Sequence, residues 1–201
     1  MNERHLHDEV AALLPAREGH FGLESGHHAD MWLDLELLCL RPQRVQALAA
    51  ELATRLAAHH VEAVCGPLVE GAFVALLVAT RLGVPFTYTE KVVDLAVDAL
   101  FPLRYRIPRG LRAELHGKRV AIVDDVINAG SAVLGTCEAL TACEAKPVAI
   151  GALAVLGHAA ARFAADRQLT LDALATLPSD LWTPADCPLC TRGIPLTAGG
   201  G

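Results

Sequence analysis

Between residues 42 and 168, short apolar runs alternate with longer stretches of helical spacing. This alternation restricts the chain more than any other feature. The runs "VEAVCGP", "VPFTYTEK", Lys118–Asp124 and "KPVAIGALAVL" have the apolar character of strands covered on both faces. Between them, Pro42 opens a helix through His60 with Val45, Leu48, Leu52 and Leu56 on one face. Gly71 to Leu82 reads as an apolar helix stopped by Gly83. Another helix runs from about Gly130 to Cys143, and "AAARFAADRQ" reads as a further one. Repetition of this kind predicts an α/β fold, a parallel sheet flanked by helices on both faces.

The flanks are different. Leu6, Val10, Leu13 and Leu14 have helical spacing, ended by Pro15. "GHFGLESGHHADMWLDLELL" suggests short strands joined by a turn at Ser25-Gly26. Val92–Gly117 carries Arg104, Arg106, Arg109 and Arg112 among Pro102, Pro108 and Gly110, and is expected to form a long loop or hairpin over the sheet's C-terminal edge. The Pro/Gly-rich tail, 178–201, is expected to be irregular. No repeat or linker divides the 201 residues, so a single domain is expected.

Charge and composition exclude several classes. Apolar residues make up 53% and charged residues 20%, which is globular rather than disordered. A net charge of -6 without a Lys/Arg run argues against a nucleic-acid partner. No 18-residue uncharged apolar run and no leader pattern stand out, so no membrane partner and a soluble, cytoplasmic protein are expected. Cys39, Cys65, Cys137 and Cys143 read as buried or half-buried thiols. Cys187 and Cys190 form "CPLC", half of a zinc knuckle or a redox pair. With no second pair in sequence, the expectation is a reduced turn in the tail, or a site shared between subunits. His20, His27 and His28 read as exposed turn residues, because no third fixed ligand can be named. No metal site built from protein ligands is predicted.

The chemistry concentrates in "KRVAIVDDVINAGSAV", Lys118–Val133. A buried parallel strand delivers its C-terminal end to the ligand crevice of an open sheet. Here that end is Asp124 and Asp125, which need hydroxyl donors, cations or water if they are covered. Asn128-Ala129-Gly130-Ser131-Ala132 follows with no large side chain, so backbone N–H groups can converge on an anion at the start of a helix. Carboxylates beside an anion nest suit a sugar phosphate. A nucleotide P-loop would need Gly-Lys-Ser/Thr and a dinucleotide fingerprint GxGxxG, and neither is present. A plain capped helix entry does not call for two acids.

"VAIVDDVINAGSAV" resembles the phosphoribosyl-diphosphate (PRPP) motif of type I phosphoribosyltransferases. "FGLESGHHADMWLDL" resembles the N-terminal hood of the orotate phosphoribosyltransferases, and "VCGPLVEGAFVALLVATRLGVPFTYTEK" is similar to their diphosphate loop, helix and following strand. The likeness covers roughly residues 10–156. It implies a single type I phosphoribosyltransferase domain, with a small hood over about 15–40, a core over about 42–175 and a flap. It implies transfer of ribose 5-phosphate from PRPP to a nitrogenous base, with diphosphate release. Asp124 and Asp125 would hold the ribose hydroxyls. Val126 and Ile127 lead into the loop, and Asn128, Ala129, Gly130, Ser131 and Ala132 would hold the 5-phosphate. Pro67, Leu68, Val69, Glu70 and Gly71 would face the diphosphate, with Lys91 beside it. Trp32 and Leu33 align with base-pocket positions, and Asn128 would face the base. Mg²⁺ would enter mainly through PRPP and water, and a homodimer with Arg104, Arg106 and Arg109 on its flap is implied.

Three positions depart from the orotate pattern. Glu24 in "LESG" stands where the family has Lys. Val92–Gly117 lacks the closely spaced Lys and His of the family's mobile loop, offering Arg104, Arg106, Arg109, Arg112 and His116. Leu156-Gly157-His158 follows the "VAIGALAVL" strand where the orotate enzymes carry an Arg that reads the base carboxylate. Three readings therefore stay open: an orotate transferase, a transferase for a neutral base or amide, and a PRPP-binding regulator without turnover.

Overall fold

The computed structural model describes residues 3–23, 25–93 and 103–197. Helix α1 (Glu3–Leu13) buries Leu6, Val10 and Leu13, one stripe of its surface. Strands β1 (Ala16–Gly22) and β2 (His28–Leu33) follow as an antiparallel pair. The Leu23 N–H donates to the His27 carbonyl at 2.8 Å and the Gly26 N–H to the Leu23 carbonyl at 2.9 Å, closing the turn where the sequence placed it. Glu24 lies outside the described residues.

A 3-10 segment, Leu35–Leu40, leads to α2 (Pro42–Leu56). The body then runs β3 (Ala63–Pro67), α3 (Glu70–Leu82), β4 (Phe86–Val93), β5 (Leu103–Arg106), β6 (Arg119–Ile127), α4 (Ser131–Thr141), β7 (Lys146–Leu156), α5 (Ala159–Asp166) and β8 (Thr170–Leu177). Its six-stranded sheet has the order β5-β4-β3-β6-β7-β8. Every pairing is parallel except β4 with β5. One apolar cluster joins α1, α2 and α3 to the sheet, and a second joins α4 and α5. Leu52 and Leu56 of α2 are fully buried, and each such side chain contributes about 1.5–3 kcal/mol. They lie so close to β7 that a Cβ at Gly151 would meet Leu56 Cδ1 at 2.9 Å.

Of the two forms expected for Val92–Gly117, loop or hairpin, its described part is a hairpin, with β5 pairing β4 from Glu90↔Arg106 to Val93↔Leu103, followed by a 3-10 stretch, Arg109–Leu115. Residues 94–102 lie outside the described residues. β8 is an edge strand of mixed burial, which hid it in the sequence. Residues 178–197 are not irregular throughout. They form β9 (Leu181–Trp182), which pairs with β2, and a short helix α6 (Pro188–Thr191), and they end on a bridge between Thr197 and Phe21. Contacts with β1 and β2, far away in sequence, supply order that local composition does not.

Candidate active site

Strand β6 ends at the C-terminal edge of the sheet, and its last residues enter a cleft of about 240 Å³ between the sheet and the β1–β2 hairpin. From the core, Asp124, Val126, Ile127 and the turn Asn128–Ala132 line the cleft. From the hood, Trp32 and Leu33 do so, with Leu23, Ser25 and Met31. The structure thus brings Asp124, the phosphate turn and the base candidates Trp32, Leu33 and Asn128 to one surface, whereas Asp125 does not line it. Trp32 is backed by the buried ring of Phe21, 5.8 Å between centroids.

Asp124 and Asp125 are only 6% and 4% exposed. The Asp125 N–H donates to Asp124 Oδ1 at 3.0 Å. Asp125 Oδ2 is buried and accepts no hydrogen bond among the described residues. Burial above all, then the neighbouring Asp125 and more remotely Glu70, holds the Asp124 carboxyl well above the usual carboxylate range. Burial also raises Asp125. An uncovered acceptor and a pair of carboxyls that resist ionising are a demand for donors from outside the chain.

The turn Asn128–Ala132 runs from the end of β6 into the start of α4. Gly130, at φ 85°, caps α4 without any side-chain capping bond. The first N–H groups of a helix have no intrahelical acceptor, so this end of α4 offers donors to an anion. On the neighbouring strand, β3 stops at Pro67 and α3 starts at Glu70. A cis peptide joins Leu68 and Val69, and the Leu68 N–H donates to the Thr89 carbonyl at 2.9 Å. Gly71 packs directly on Asp124: a Cβ there would collide with Asp124 Oδ1. The diphosphate-loop candidates therefore touch the ribose candidates through one glycine.

Lys91 lies on β4 two residues past Thr89, which is level with Pro67 in the sheet. It is exposed, pairs in register with Tyr105, and does not line the cleft. Of the flap candidates, Arg106 is held by Glu90 across the hairpin at 2.9 Å. Arg104 and Arg109 are exposed, on β5 and at the start of the following 3-10 stretch. Arg112 donates to the Ile107 carbonyl at 2.9 Å. Leu156, the last residue of β7, lines the cleft, whereas Gly157 and His158, which follow it, do not.

The cysteine and histidine expectations need correction. Cys39 is exposed, whereas burial pushes the Cys65 thiol up to about 12. His20 is not an exposed turn residue but 1% exposed. His28 stands beside it on β2, and Cys187 and Cys190 close over both. Only His27 stays with the turn, its Nδ1 3.2 Å from Ser25 Oγ. The sequence hid this cluster because its halves are 167 residues apart and joined only by the pairing of the tail with β1 and β2.

Comparison with known proteins agrees with this geometry. The phosphoribosyl transferase domain family matches residues 39–170. An orotate phosphoribosyltransferase of Pelotomaculum thermopropionicum is 31% identical over 96% of this chain and 96% of its own length. One from Helicobacter pylori is 31% identical over 99% of this chain and 98% of its own. Among solved structures, adenine phosphoribosyltransferase from Thermoanaerobacter pseudethanolicus superposes with a TM-score of 0.67 at 19% identity, covering 85% of this chain and 99% of that one. Orotate phosphoribosyltransferase from Aeropyrum pernix gives 0.62 at 22% identity, over 88% and 94%. The chain belongs to the phosphoribosyltransferases, and among them to the orotate phosphoribosyltransferase family.

Proposed function

We propose that this chain transfers the 5-phosphoribosyl group of PRPP to the ring nitrogen of orotate and releases diphosphate, a step of pyrimidine nucleotide synthesis. The observation that carries this reading is the cleft itself, which Asp124, the uncapped start of α4 and Trp32 line together, with the unpartnered Asp125 carboxyl next to Asp124 in the chain. The ribose hydroxyls would donate to Asp124 and Asp125, and the 5-phosphate would accept from the turn Asn128–Ala132. The diphosphate would lie against Pro67–Gly71, and the base would stack beneath Trp32 and Leu33. As the bond to diphosphate breaks, positive charge grows on the ribose ring, and fixed carboxylates beneath it stabilise that charge.

The same burial and mutual repulsion that raise the proton affinity of Asp124 suit other positive charge, so the acids fit a Mg²⁺ carried in on PRPP. Asp124 and Asp125 would help hold the ion, whose chemistry when bound would be to offset charge on the diphosphate. A homodimer is part of the proposal. Leu37, Leu40, Val69, Phe73 and Leu76 are exposed on α3, the 3-10 segment before α2 and the adjoining diphosphate turn, Leu40 by 70% and Val69 by 54%. A face of that kind calls for a partner, and a second copy would bury it next to the cleft.

Steady-state turnover with PRPP, Mg²⁺ and a panel of bases tests the reading. Orotate is expected to yield its nucleotide and the neutral bases to be poor. Ser25 and Asn128 are the polar side chains, besides Asp124 and Ser131, that line the cleft, and no cation does so among the described residues. Efficient use of a neutral base with orotate inert would overturn the assignment of the acceptor. Failure of every base while PRPP still binds would make the chain a PRPP-binding regulator.

A further inference from the structure

The four side chains that join the tail to the hood have the arrangement of a metal site. His20 Nε2, His28 Nδ1, Cys187 Sγ and Cys190 Sγ all lie within 4.8 Å of one another. The two nitrogens are 2.9 Å apart. His20 Nε2 is 3.4 Å from Cys187 Sγ and 3.7 Å from Cys190 Sγ, and Cys190 Sγ is 3.3 Å from His28 Nδ1. A zinc tetrahedron with bonds of about 2.3 Å to sulfur and about 2.0–2.1 Å to nitrogen has edges of about 3.3 Å between nitrogens and about 3.6 Å from nitrogen to sulfur. These four separations fall within a few tenths of an ångström of those edges.

Hydrogen bonding points the same way. His20 Nδ1 lies 2.7 Å from the Ile194 carbonyl, an acceptor only, so Nδ1 carries the proton and Nε2 presents its lone pair to the cluster. One lone pair cannot satisfy His28 and two thiols together, whereas one cation satisfies all four groups. A carbonyl behind a ligating histidine is also the usual outer partner that fixes its tautomer. The burial pattern fits a metal that is shielded yet can enter. His20 and Cys187 are almost fully buried, and Cys190 forms the exposed side.

We propose that His20, His28, Cys187 and Cys190 bind one Zn²⁺ as a structural site that fastens the C-terminal segment to the β1–β2 hairpin. Two thiolates and two imidazoles in a tetrahedron select zinc among the common cations. Four protein ligands leave no open position, so the ion does no chemistry on substrate. Its work is mechanical. Apart from the metal, the described contacts joining the tail to the hood include the two-residue strand β9, the Thr197 bridge, the hydrogen bond from His20 to the Ile194 carbonyl and those from Ser179 and Asp180 to Asp30. The hairpin it fastens carries Trp32 and Leu33 into the cleft. The proposal rests on these four side chains and does not depend on the reaction in the cleft.

Metal analysis of untagged protein purified without chelator tests it. The expected result is one zinc per chain, released by thiol-directed mercurial and retained through gel filtration. Cys187→Ser with Cys190→Ser should lose it, Cys190→His should keep it, and Cys143→Ser, remote from the cluster, should keep it. Because the double variant could misfold, stripped wild-type protein should also be titrated with Co²⁺, where the visible bands of a tetrahedral thiolate–imidazole site are expected at one equivalent. Protein that folds without metal, shows no such bands and yields a Cys187–Cys190 disulfide or two free thiols would overturn the proposal. Zinc that persists in the double variant would overturn it as well.

Discussion

The contact of Gly71 with Asp124 ties two loops that the reaction needs in register, and Gly71→Ala tests whether that contact matters. A Cβ at residue 71 would overlap Asp124 Oδ1 and stand 3.2 Å from both Asp124 Cγ and Pro67 Cγ. Something must move. The first turn of α3 is the backbone that could yield, but it also carries Glu70 and abuts the β3 end, so the Asp124 carboxylate is the easier group to displace. Alanine gains up to about 1 kcal/mol in helix propensity, and overpacking costs about 1–3 kcal/mol. The net loss of stability is therefore about 0–3 kcal/mol, or a fall in Tm of at most about 12 °C for a chain of this size. Activity should suffer more, because a carboxylate displaced by about 1 Å costs about 10²-fold in kcat/KM. Parallel melting curves and steady-state assays would measure both. Gly110→Ala, where an added Cβ meets nothing within 4 Å, is the control. The stability cost of Gly71→Ala should shrink in an Asp124→Ala background, since the clash is then gone. Wild-type activity in Gly71→Ala, or an unchanged cost in that background, would refute the reasoning.

Two further perturbations follow. Between the ordinary carboxylate range and its raised folded value, Asp124 holds a proton in the folded protein that it lacks when unfolded, so the ligand-free protein should lose stability as pH rises through that window; Asp124→Asn with Asp125→Asn should flatten the dependence, and a Tm that instead climbs with pH only in wild type would contradict the assigned direction. Phe73→Glu with Leu76→Glu places charge on the exposed α3 face and should yield monomers by light scattering with little loss of Tm, whereas a dimer that survives would move the interface elsewhere.

How far the sequence reached depends on the range of the forces involved. The β6–turn–α4 unit was legible because strand, acids, small-residue turn and helix lie within one continuous stretch, Arg119–Thr141. The helices α1 to α3 were legible from their apolar stripes and from Pro42 and Gly83. The Gly71–Asp124 contact was not, since it is made across neighbouring strands β3 and β6, whose order only the folded sheet decides. Nor was the joining of His20 and His28 with Cys187 and Cys190. "CPLC" carried half the signal, and the bulge in β1 between Glu18 and Phe21, with β9 added to β2, made the other half. Arg106 looked free for a phosphate, yet the β4–β5 register sets it opposite Glu90.

Calorimetric titration of PRPP in the presence of Mg²⁺ bears most directly on the cleft. Each ribose hydroxyl donating to a buried carboxylate is worth about 1.5–3 kcal/mol, so Asp124→Asn with Asp125→Asn should weaken PRPP by about 10²–10⁴-fold while the protein stays folded. Binding by the folded double variant as tight as by wild type would mean that PRPP sits elsewhere.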